Sequence, residues 1–388
     1  MKLSGEDLRK ALIVLSFGLE PIIFAIVGWY AGPYLNLTRV AGALLGVAVG
    51  FGIMIWRIWK FWRITSLEIS RAMYDLEKDD LRSLTSLIEN ERYIVIGKDK
   101  LIKIMGAQAP LQLLTVLKGL SLVSRDFYDL SRLDQVLDEM TDFSKTFSEV
   151  RARSSINFLK VLDYFNDFLT LLCVNFAFRC EVANDEVAKG YVVTPFKCGG
   201  GPKGLLREDV KYYLADEEVR ELYSNALNEA LTINSRAPIL ALASYSLIKM
   251  GRELEISGYA HAYSRAIGKL ALELLSIADD DLVAEGKNSE VVKAIRQKNG
   301  FLKALTKEAK FDKSKEKRDF KEEDLIRSFI DDAYRTLTGS FRLPSTARTV
   351  LSYLFVKWGE KVSLKLAFMA ANNEVAPHRA FASLMVPC

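Results

Sequence analysis

Two apolar stretches near the N-terminus decide the architecture: ALIVLSFGLEPIIFAIVGWYAG, residues 11–32, and VAGALLGVAVGFGIMIWRIWKFW, residues 40–62. The first contains one charged residue, Glu20, and the second is interrupted only near its end, by Arg57 and Lys60. Each has the roughly 20 residues that a helix needs to cross ~30 Å of hydrocarbon. The short connection between them, PYLNLTR, allows only a tight turn. The sequence therefore predicts a hairpin of two antiparallel transmembrane helices.

The basic residues around these stretches predict that both chain termini are cytoplasmic. The turn holds only Arg39, whereas six basic residues precede the first stretch or close the second: Lys2, Arg9, Lys10, Arg57, Lys60 and Arg63. Positive charge accumulates on the cytoplasmic side of membrane proteins. A cleaved signal peptide is disfavoured, because the first stretch contains an acid, lacks an A-x-A pattern and is followed at once by the second. We therefore expect a multi-pass protein of the cell membrane, with residues 1–63 as its hairpin domain.

Glycines and one acid within the hairpin are the candidate partner-binding residues. The glycines recur every four residues along each helix: Gly28, Gly32, Gly42, Gly46 and Gly50. This spacing leaves a flat helix face, which either packs the hairpin on itself or docks other membrane helices. Glu20 lies near the middle of the first stretch, where an ionised carboxylate is costly. It is either a protonated structural residue or a contact to another protein of a complex.

The rest of the chain has the hydrophobic period of helices. Residues 64–92 continue the second stretch as a helical stem, in which Asp79 and Asp80 predict a break and a new N-cap. In the body, residues 93–388, apolar positions repeat with the helical period and few stretches alternate as strands do. We therefore expect an all-α protein in which a transmembrane hairpin carries a cytoplasmic helical body.

Local signals predict where several helices of the body begin and end. Ser131 and Asp134 form a capping box ahead of one helix. Ser345 is predicted to open a long helix, the asparagine pair at 372–373 to end it, and Pro377 to start a last short helix. The predicted core face of the long helix consists of Val350, Leu351, Leu354, Phe355, Trp358 and Val362.

Composition and motifs argue against several classes of function. Lys and Arg (53) nearly balance Asp and Glu (49), which does not predict nucleic-acid binding. His261 and His378 lie in no catalytic motif, and the cysteines form no C-x-x-C pair, so we interpret them as reduced thiols: Cys173, Cys180, Cys198 and Cys388. The run PFKCGGGPKG, residues 195–204, is predicted to be a loop and lacks the Lys-Ser or Lys-Thr of a phosphate-binding loop. We expect no metal, no cofactor and no catalytic site.

The segment from Thr349 to Cys388 carries a helix pattern followed by a small-residue turn and a short helix. The positions that define the pattern are Tyr353, Leu354, Lys357, Glu360, Val362 and Leu364. In these positions the segment resembles the end of the C subunit of archaeal-type rotary ATPases, whose counterpart in vacuolar enzymes is the d subunit. Trp358 and Lys365 stand where that family has an acid and an arginine.

Two further segments carry related resemblances. Asp163, Asn166 and the loop Gly199–Pro202 resemble an earlier Asp-x-x-Asn segment of the same family, with Leu172 in the place of an arginine. The hairpin segment GWYAGPYLNLTRVAGALLGVAVGFG resembles the small two-span AtpZ/AtpI-type proteins that accompany ATP synthases.

The resemblance implies a non-catalytic component of the central stalk, or rotor, of an archaeal-type ATP synthase. The body is then a funnel of three pseudo-repeated helical bundles that joins the proteolipid (c) ring to the D and F subunits of the central shaft. A hairpin that turns with the rotor cannot lie outside the ring without colliding with the stator. We therefore expect the hairpin in the ring lumen, in contact with the ring or with membrane lipid.

Two other functions remain open from the sequence. One is a membrane-tethered helical adaptor or assembly factor, which would recruit an unidentified soluble partner through the mixed-charge segment Lys303–Asp324. That segment is otherwise a solvated helix or loop. The other is an intramembrane carrier that uses Glu20, although two spans supply little protein to line a path.

Overall fold

The computed structural model describes residues 21–35, 37–91, 96–197, 201–257, 259, 261–298, 321–339 and 343–386, with the backbone alone at 57–80, 90–91 and 261–262. Within these ranges the chain consists of helices, turns and loops, without a β-strand. The predicted all-α class is confirmed. The chain divides into two units, residues 1–75 and residues 76–388.

The first unit contains a helical hairpin. Helix α1, described over Pro21–Leu35, ends in a 3-10 turn at Gly32–Leu35, and helix α2 begins at Arg39. Thr38 caps α2, because its Oγ1 accepts a hydrogen bond from the Ala41 amide at 3.2 Å. The two helices are thus joined by the tight turn that the sequence predicted.

Helix α2 spans Arg39–Glu91 without interruption. The predicted break at Asp79 and Asp80 is wrong. Each aspartate costs a helix interior only about 0.7 kcal/mol relative to alanine, and neither glycine nor proline accompanies the pair. Directly after it, Leu81, Leu84 and Ile88 are buried in the core of the second unit, and their burial outweighs that cost.

The helices of the second unit are short at its start and long in its core. The structure bounds them as α3 Lys98–Met105, α4 Pro110–Gly119, α5 Leu133–Thr141, α6 Ser144–Ala152, α7 Ile156–Val182, α8 Gly201–Leu205, α9 Glu217–Ile233, α10 Ala237–Ile256, α11 His261–Ala284, α12 Glu290–Lys298, α13 Glu322–Thr338, α14 Ala347–Ala371 and α15 Pro377–Ala382. Three 3-10 turns lie between them, at Leu130–Arg132, Glu186–Tyr191 and Glu208–Tyr213.

Three helices meet at an aromatic centre in the core. Phe355 of α14 lies edge-on to Phe165 of α7, with ring centroids 5.0 Å apart, and 4.8 Å from Phe329 of α13. Helix α10 packs against α7, α9 and α11, while α14 packs against α13, α3 and α5. Helices α7 and α14 are therefore enclosed by other helices.

Helix α7 is long and apolar enough to span a membrane, with a mean hydropathy of 1.3, yet 89% of that window is buried. It is the central helix of a protein core, surrounded by protein on most of its faces. Of the two described helices that meet the length and hydropathy of a membrane span, only the segment Arg39–Trp56 of α2 presents its surface outward, with 11% buried.

The local signals in the long C-terminal helix are confirmed with a shift of one residue at its start. Thr346, not Ser345, caps α14, its Oγ1 accepting from the Thr349 amide at 3.4 Å. Asn372 ends the helix and Asn373 adopts a left-handed φ of 58°. Pro377 starts α15 as predicted. The predicted core face of α14 is fully buried.

Two other local predictions are wrong. The capping box at Ser131 and Asp134 is replaced by a 3-10 turn, because the Ser131 amide and hydroxyl both donate to Asp129 Oδ1, at 3.0 and 2.6 Å. The glycine-rich run is a loop only in its described first residues, 195–197, and helix α8 begins at Gly201.

Candidate functional site

Four of the five predicted glycines lie where the two helices of the hairpin touch. A Cβ atom added to Gly28 or Gly42 would collide with the other's carbonyl oxygen, and one added to Gly46 would collide with the carbonyl of Phe24. A Cβ on Gly32 would lie 3.3 Å from the Gly42 Cα. These four glycines therefore allow the backbones to approach closely, which is the first of the two alternatives for their spacing.

Two candidate residues of the hairpin, Gly50 and Glu20, remain. Gly50 is buried on α2, and Glu20 lies outside the described residues. The role of all six residues in binding a partner stays a prediction.

The outward surface of the hairpin is apolar. Large side chains are between 37% and 91% exposed on both helices and their turn: Ile22, Ile23, Ile26, Val27, Trp29, Tyr30, Tyr34, Leu35, Leu37, Val40, Leu44, Leu45, Val49, Phe51, Ile55 and Trp56. Contiguous apolar surfaces of this extent are rare on proteins in water and mark contact with lipid or with another protein.

A buried ionic cluster lies at the start of α13 in the second unit. Arg179 of α7 donates from Nη1 to Glu322 Oε1 at 2.8 Å and also to Glu323, and from Nη2 to Asp185. Arg236, which precedes α10, donates from Nε to Asp281 Oδ2 of α11 at 2.8 Å and from Nη1 to Glu322. The cluster thus connects α7, α10, α11 and α13.

Two members of this cluster belong to the segment that the sequence predicted as solvated. Glu322 is 0% exposed and Glu323 is 7% exposed, so the prediction is wrong for these two residues. Their burial is possible because Arg179 and Arg236 supply opposite charge and hydrogen bonds. Residues 303–320 lie outside the described residues.

Burial and charge act differently on the two glutamates. Burial opposes ionisation of Glu322, but the Arg236 and Arg179 guanidinium groups outweigh it and lower the pKa of this carboxyl. Burial, together with the adjacent charge of Glu322, raises the pKa of Glu323. One oxygen of each carboxyl group, Oε2, is buried and accepts no hydrogen bond from the part of the chain that the structure describes.

A second polar network holds the start of α9 against α7. Asp167 is 0% exposed and accepts hydrogen bonds from the Ala215 and Asp216 amides at 2.7 and 2.9 Å. The neighbouring Asn166 donates to the Tyr213 carbonyl at 2.9 Å. Burial raises the pKa of Asp167 to about 6, although the two amides act in the opposite direction. Asp216 in turn caps α9 and binds Lys249 of α10 at 2.6 Å.

The residues that carried the resemblance connect helices to neighbouring loops. Glu360 pairs with Lys357 at 3.2 Å and accepts from the Ile96 amide at 3.1 Å. Trp358 donates to the Val193 carbonyl at 2.9 Å, and Lys365 donates to the Val192 carbonyl at 2.7 Å. Burial lowers the pKa of Lys365. The two departures from the family pattern thus both bind the loop that follows the 3-10 turn Glu186–Tyr191.

The second segment that resembles the same family has one polar residue at the surface and an apolar residue in the core. Asp163 pairs with Arg151 at the surface, whereas Leu172, in the place of an arginine, is fully buried.

Cys173 is buried and Cys180 partly buried, and neither forms a disulfide. His378 is exposed, and the side chain of His261 is not described. In the described part of the chain, no three His, Cys, Asp or Glu side chains are grouped as metal ligands.

The ionic cluster and Asp167 were not predicted from the sequence. A signal for them existed: Asp167, Arg179 and Arg236 each stand within or beside long apolar runs. A charged residue in such a run needs a partner, because burying an unpaired charge is costly. The sequence did not reveal which distant residue that partner is.

The fold and sites define an all-helical protein with an outward-facing apolar hairpin and a separate helical unit. No known protein family, characterised protein or solved structure matches the chain.

Proposed function

We propose that this chain is a membrane-anchored, non-catalytic helical protein that acts by binding other proteins, as a central-stalk component of an archaeal-type rotary ATP synthase. The membrane anchor is supported by the apolar outward surface of the hairpin. Its segment Arg39–Trp56 has a mean hydropathy of 1.8 and is 11% buried. The resemblance of the C-terminal segment to the C subunit of that enzyme class supports the more specific role.

The glycine packing of the hairpin supports a position in lipid. Because Gly28, Gly42 and Gly46 face the neighbouring helix, the outward surface is left to bulky aliphatic and aromatic side chains. Such a surface suits the acyl chains of lipid better than close helix docking, which requires small residues. Lipid inside a rotor ring provides this environment, and a hairpin in the lumen turns with the ring.

The proposed orientation has both termini and the helical body in the cytoplasm. There the body binds the cytoplasmic face of the proteolipid ring and receives the foot of the shaft formed by the D and F subunits. Its function is to transmit torque, without a reaction of its own.

Affinity purification of the full chain from detergent-solubilised membranes tests this proposal. The expected result is co-elution with catalytic A and B subunits and with a proteolipid ring in constant proportion. Recovery of a small, unrelated set of proteins would contradict the rotor role and favour a membrane-tethered adaptor or assembly factor. Such an adaptor could not use the end of the charged segment as its recruiting rim, because Glu322 and Glu323 are buried.

A further inference from the structure

The ionic cluster contains more acids than bases, and its two buried members, Glu322 and Glu323, are both acids. Its four carboxyl groups belong to Asp185, Asp281, Glu322 and Glu323, whereas its guanidinium groups belong to Arg179 and Arg236. A third guanidinium group, that of Arg379 on α15, lies 3.9 Å from Asp185 Oδ1, so with every group ionised the carboxylates would still outnumber the guanidinium groups by one. Excess charge of this kind is normally relieved by binding a proton or a cation.

The adjacent glutamates are the part of the cluster where this excess is concentrated. Both accept hydrogen bonds from the same nitrogen, Arg179 Nη1, so the two carboxyl groups share one guanidinium charge. Glu322 has a second guanidinium partner, Arg236, whereas Glu323 pairs with Arg179 alone among the described residues. The partnerless Oε2 atoms of both residues and the equally buried Oδ1 of Asn175, on α7, are acceptors that lack a donor.

The other charged groups around the pair are exposed or already hydrogen-bonded to backbone carbonyls, as Arg327 is to those of Leu384 and Ala382. Two cavities, of about 370 and 390 Å³, flank the pair and are lined by the further groups Glu285, Lys321, Asp324, Arg327, Arg379 and Tyr191. Lys321 and Arg379 are exposed, and the Tyr191 hydroxyl already donates to the Ser383 carbonyl at 2.9 Å. These exposed cations are screened by solvent and compensate a buried charge only in part.

We propose that Glu322 and Glu323 form a proton-binding site, in which Glu323 holds one proton at neutral pH while Glu322 stays ionised against Arg179 and Arg236. The proton removes the excess negative charge and supplies a donor beside buried acceptors that have none among the described residues. The site thereby makes the attachment of the first turn of α13 to α7 and α10 dependent on pH. It requires neither the membrane anchor nor the rotor role.

The direction of the pH dependence follows from the environments of the two acids. Burial and the charge of Glu322 raise the pKa of Glu323, so its contribution to stability is greatest at low pH and is lost as the pH rises through that pKa. Despite burial, the guanidinium groups lower the pKa of Glu322, so its contribution is present at neutral pH and is lost on acidification. Two adjacent residues thus have opposite pH dependences.

Thermal unfolding of the full-length protein in detergent, between pH 5 and pH 8.5, tests this inference. We expect the melting temperature of Glu323→Gln minus that of wild type to increase by a few degrees as the pH rises over this range. The melting temperature of Glu322→Gln should instead fall furthest below wild type at neutral and higher pH. Glu374→Gln, which removes an exposed carboxyl group paired with Lys189, is the matched control and should show a difference that does not depend on pH.

Infrared spectroscopy tests the site directly and does not depend on how well the Glu322 variant folds. Wild-type protein at pH 7 should show the carbonyl stretch of a protonated carboxyl group, and Glu323→Gln should lose that intensity while Glu374→Gln keeps it. An unchanged band in Glu323→Gln, or a pH-independent difference in its melting temperature from wild type, would overturn the proposal.

Discussion

A single buried carboxyl group, that of Asp167, fixes how α9 starts. Its two oxygens accept from two successive backbone amides, those of Ala215 and Asp216. Within the described ranges no cation pairs with this buried acid, in contrast to the acids of the ionic cluster. Burial therefore dominates its ionisation and raises the pKa to about 6.

Asp167→Asn should remove a pH-dependent part of the stability. Because the pKa of Asp167 in the folded protein, about 6, lies above its ordinary value of 3.8, the wild type gains stability from the bound proton below pH 4 and loses it as the pH rises to about 6. The asparagine does not ionise, so the unfolding free energy of wild type minus that of the variant should fall by about 2 kcal/mol between pH 4.5 and pH 7. Chemical denaturation at pH 4.5 and pH 7 measures it.

Asp163→Asn is the matched control, since Asp163 lies one turn away on the same helix and pairs with Arg151 at the surface. Exposed ion pairs contribute about 0–1 kcal/mol, so its effect should be small at both pH values. An equal pH dependence in both variants would show that burial of Asp167 is not the cause.

At the scale of helices, the sequence predicted elements well where one local signal acts without competition. The asparagine pair at 372–373 and Pro377 ended and started helices as expected, because backbone conformation at such residues is decided locally. The periodic core face of α14 was equally predictable. The break predicted at Asp79 and Asp80 failed because burial of the following leucines carried these residues into α2. The capping box at Ser131 failed because Asp129, two residues earlier, competes for its hydrogen bonds.

The first turn of α13 shows why the sites were harder to predict than the elements. Its residues Glu322 and Glu323 continue a mixed-charge segment, and nothing local distinguishes them from solvated acids. Their partners Arg179 and Arg236 stand far away in sequence. The glycines of the hairpin could be predicted because their spacing is itself the signal, although spacing did not reveal which surface they face.

The close packing of the hairpin can be tested by substituting a glycine at the contact, with a glycine away from the contact on the same helix as the control. Gly42→Leu should force α1 and α2 apart, because even a Cβ there would meet the Gly28 carbonyl. Gly52→Leu adds the same side chain where nothing lies within 4 Å, and the hairpin should tolerate it. Spin labels on Ile22 and Val49, which are both exposed, should report a longer and broader distance distribution only in Gly42→Leu.

If Gly52→Leu separates the labels as much as Gly42→Leu does, then insertion of a bulky residue, and not the glycine contact, is responsible. If neither changes the distance, the two helices are not held together at these glycines.

At the scale of the whole molecule, we expect membrane attachment by the hairpin to be separable from the folding of the helical body. Residues 76–388 form a compact unit with their own core, so removal of residues 1–63 should leave a folded body that no longer sediments with membranes. In cells that assemble the proposed rotary complex, the truncated body should be retained on it less well. Nucleotide hydrolysis by the soluble head should continue, because no group in the body is proposed to take part in it. Sedimentation, quantification of the body in purified complexes and an ATPase assay measure these outcomes.

Residues 1–63 can be replaced by an unrelated two-span hairpin. This replacement tests whether the native hairpin only attaches the chain to the membrane or also fits inside the ring. If any apolar hairpin suffices, the replacement restores both membrane association and retention on the complex. If the native hairpin is fitted to the inside of the ring, the replacement restores membrane association alone, because it lacks the close glycine contacts that make the native helix pair narrow. Photo-crosslinkers at Ile22 and Val49 of the native chain should then label ring proteolipids or lipid. Labelling of stator helices would exclude the lumen, since a hairpin that contacts the stator cannot rotate past it.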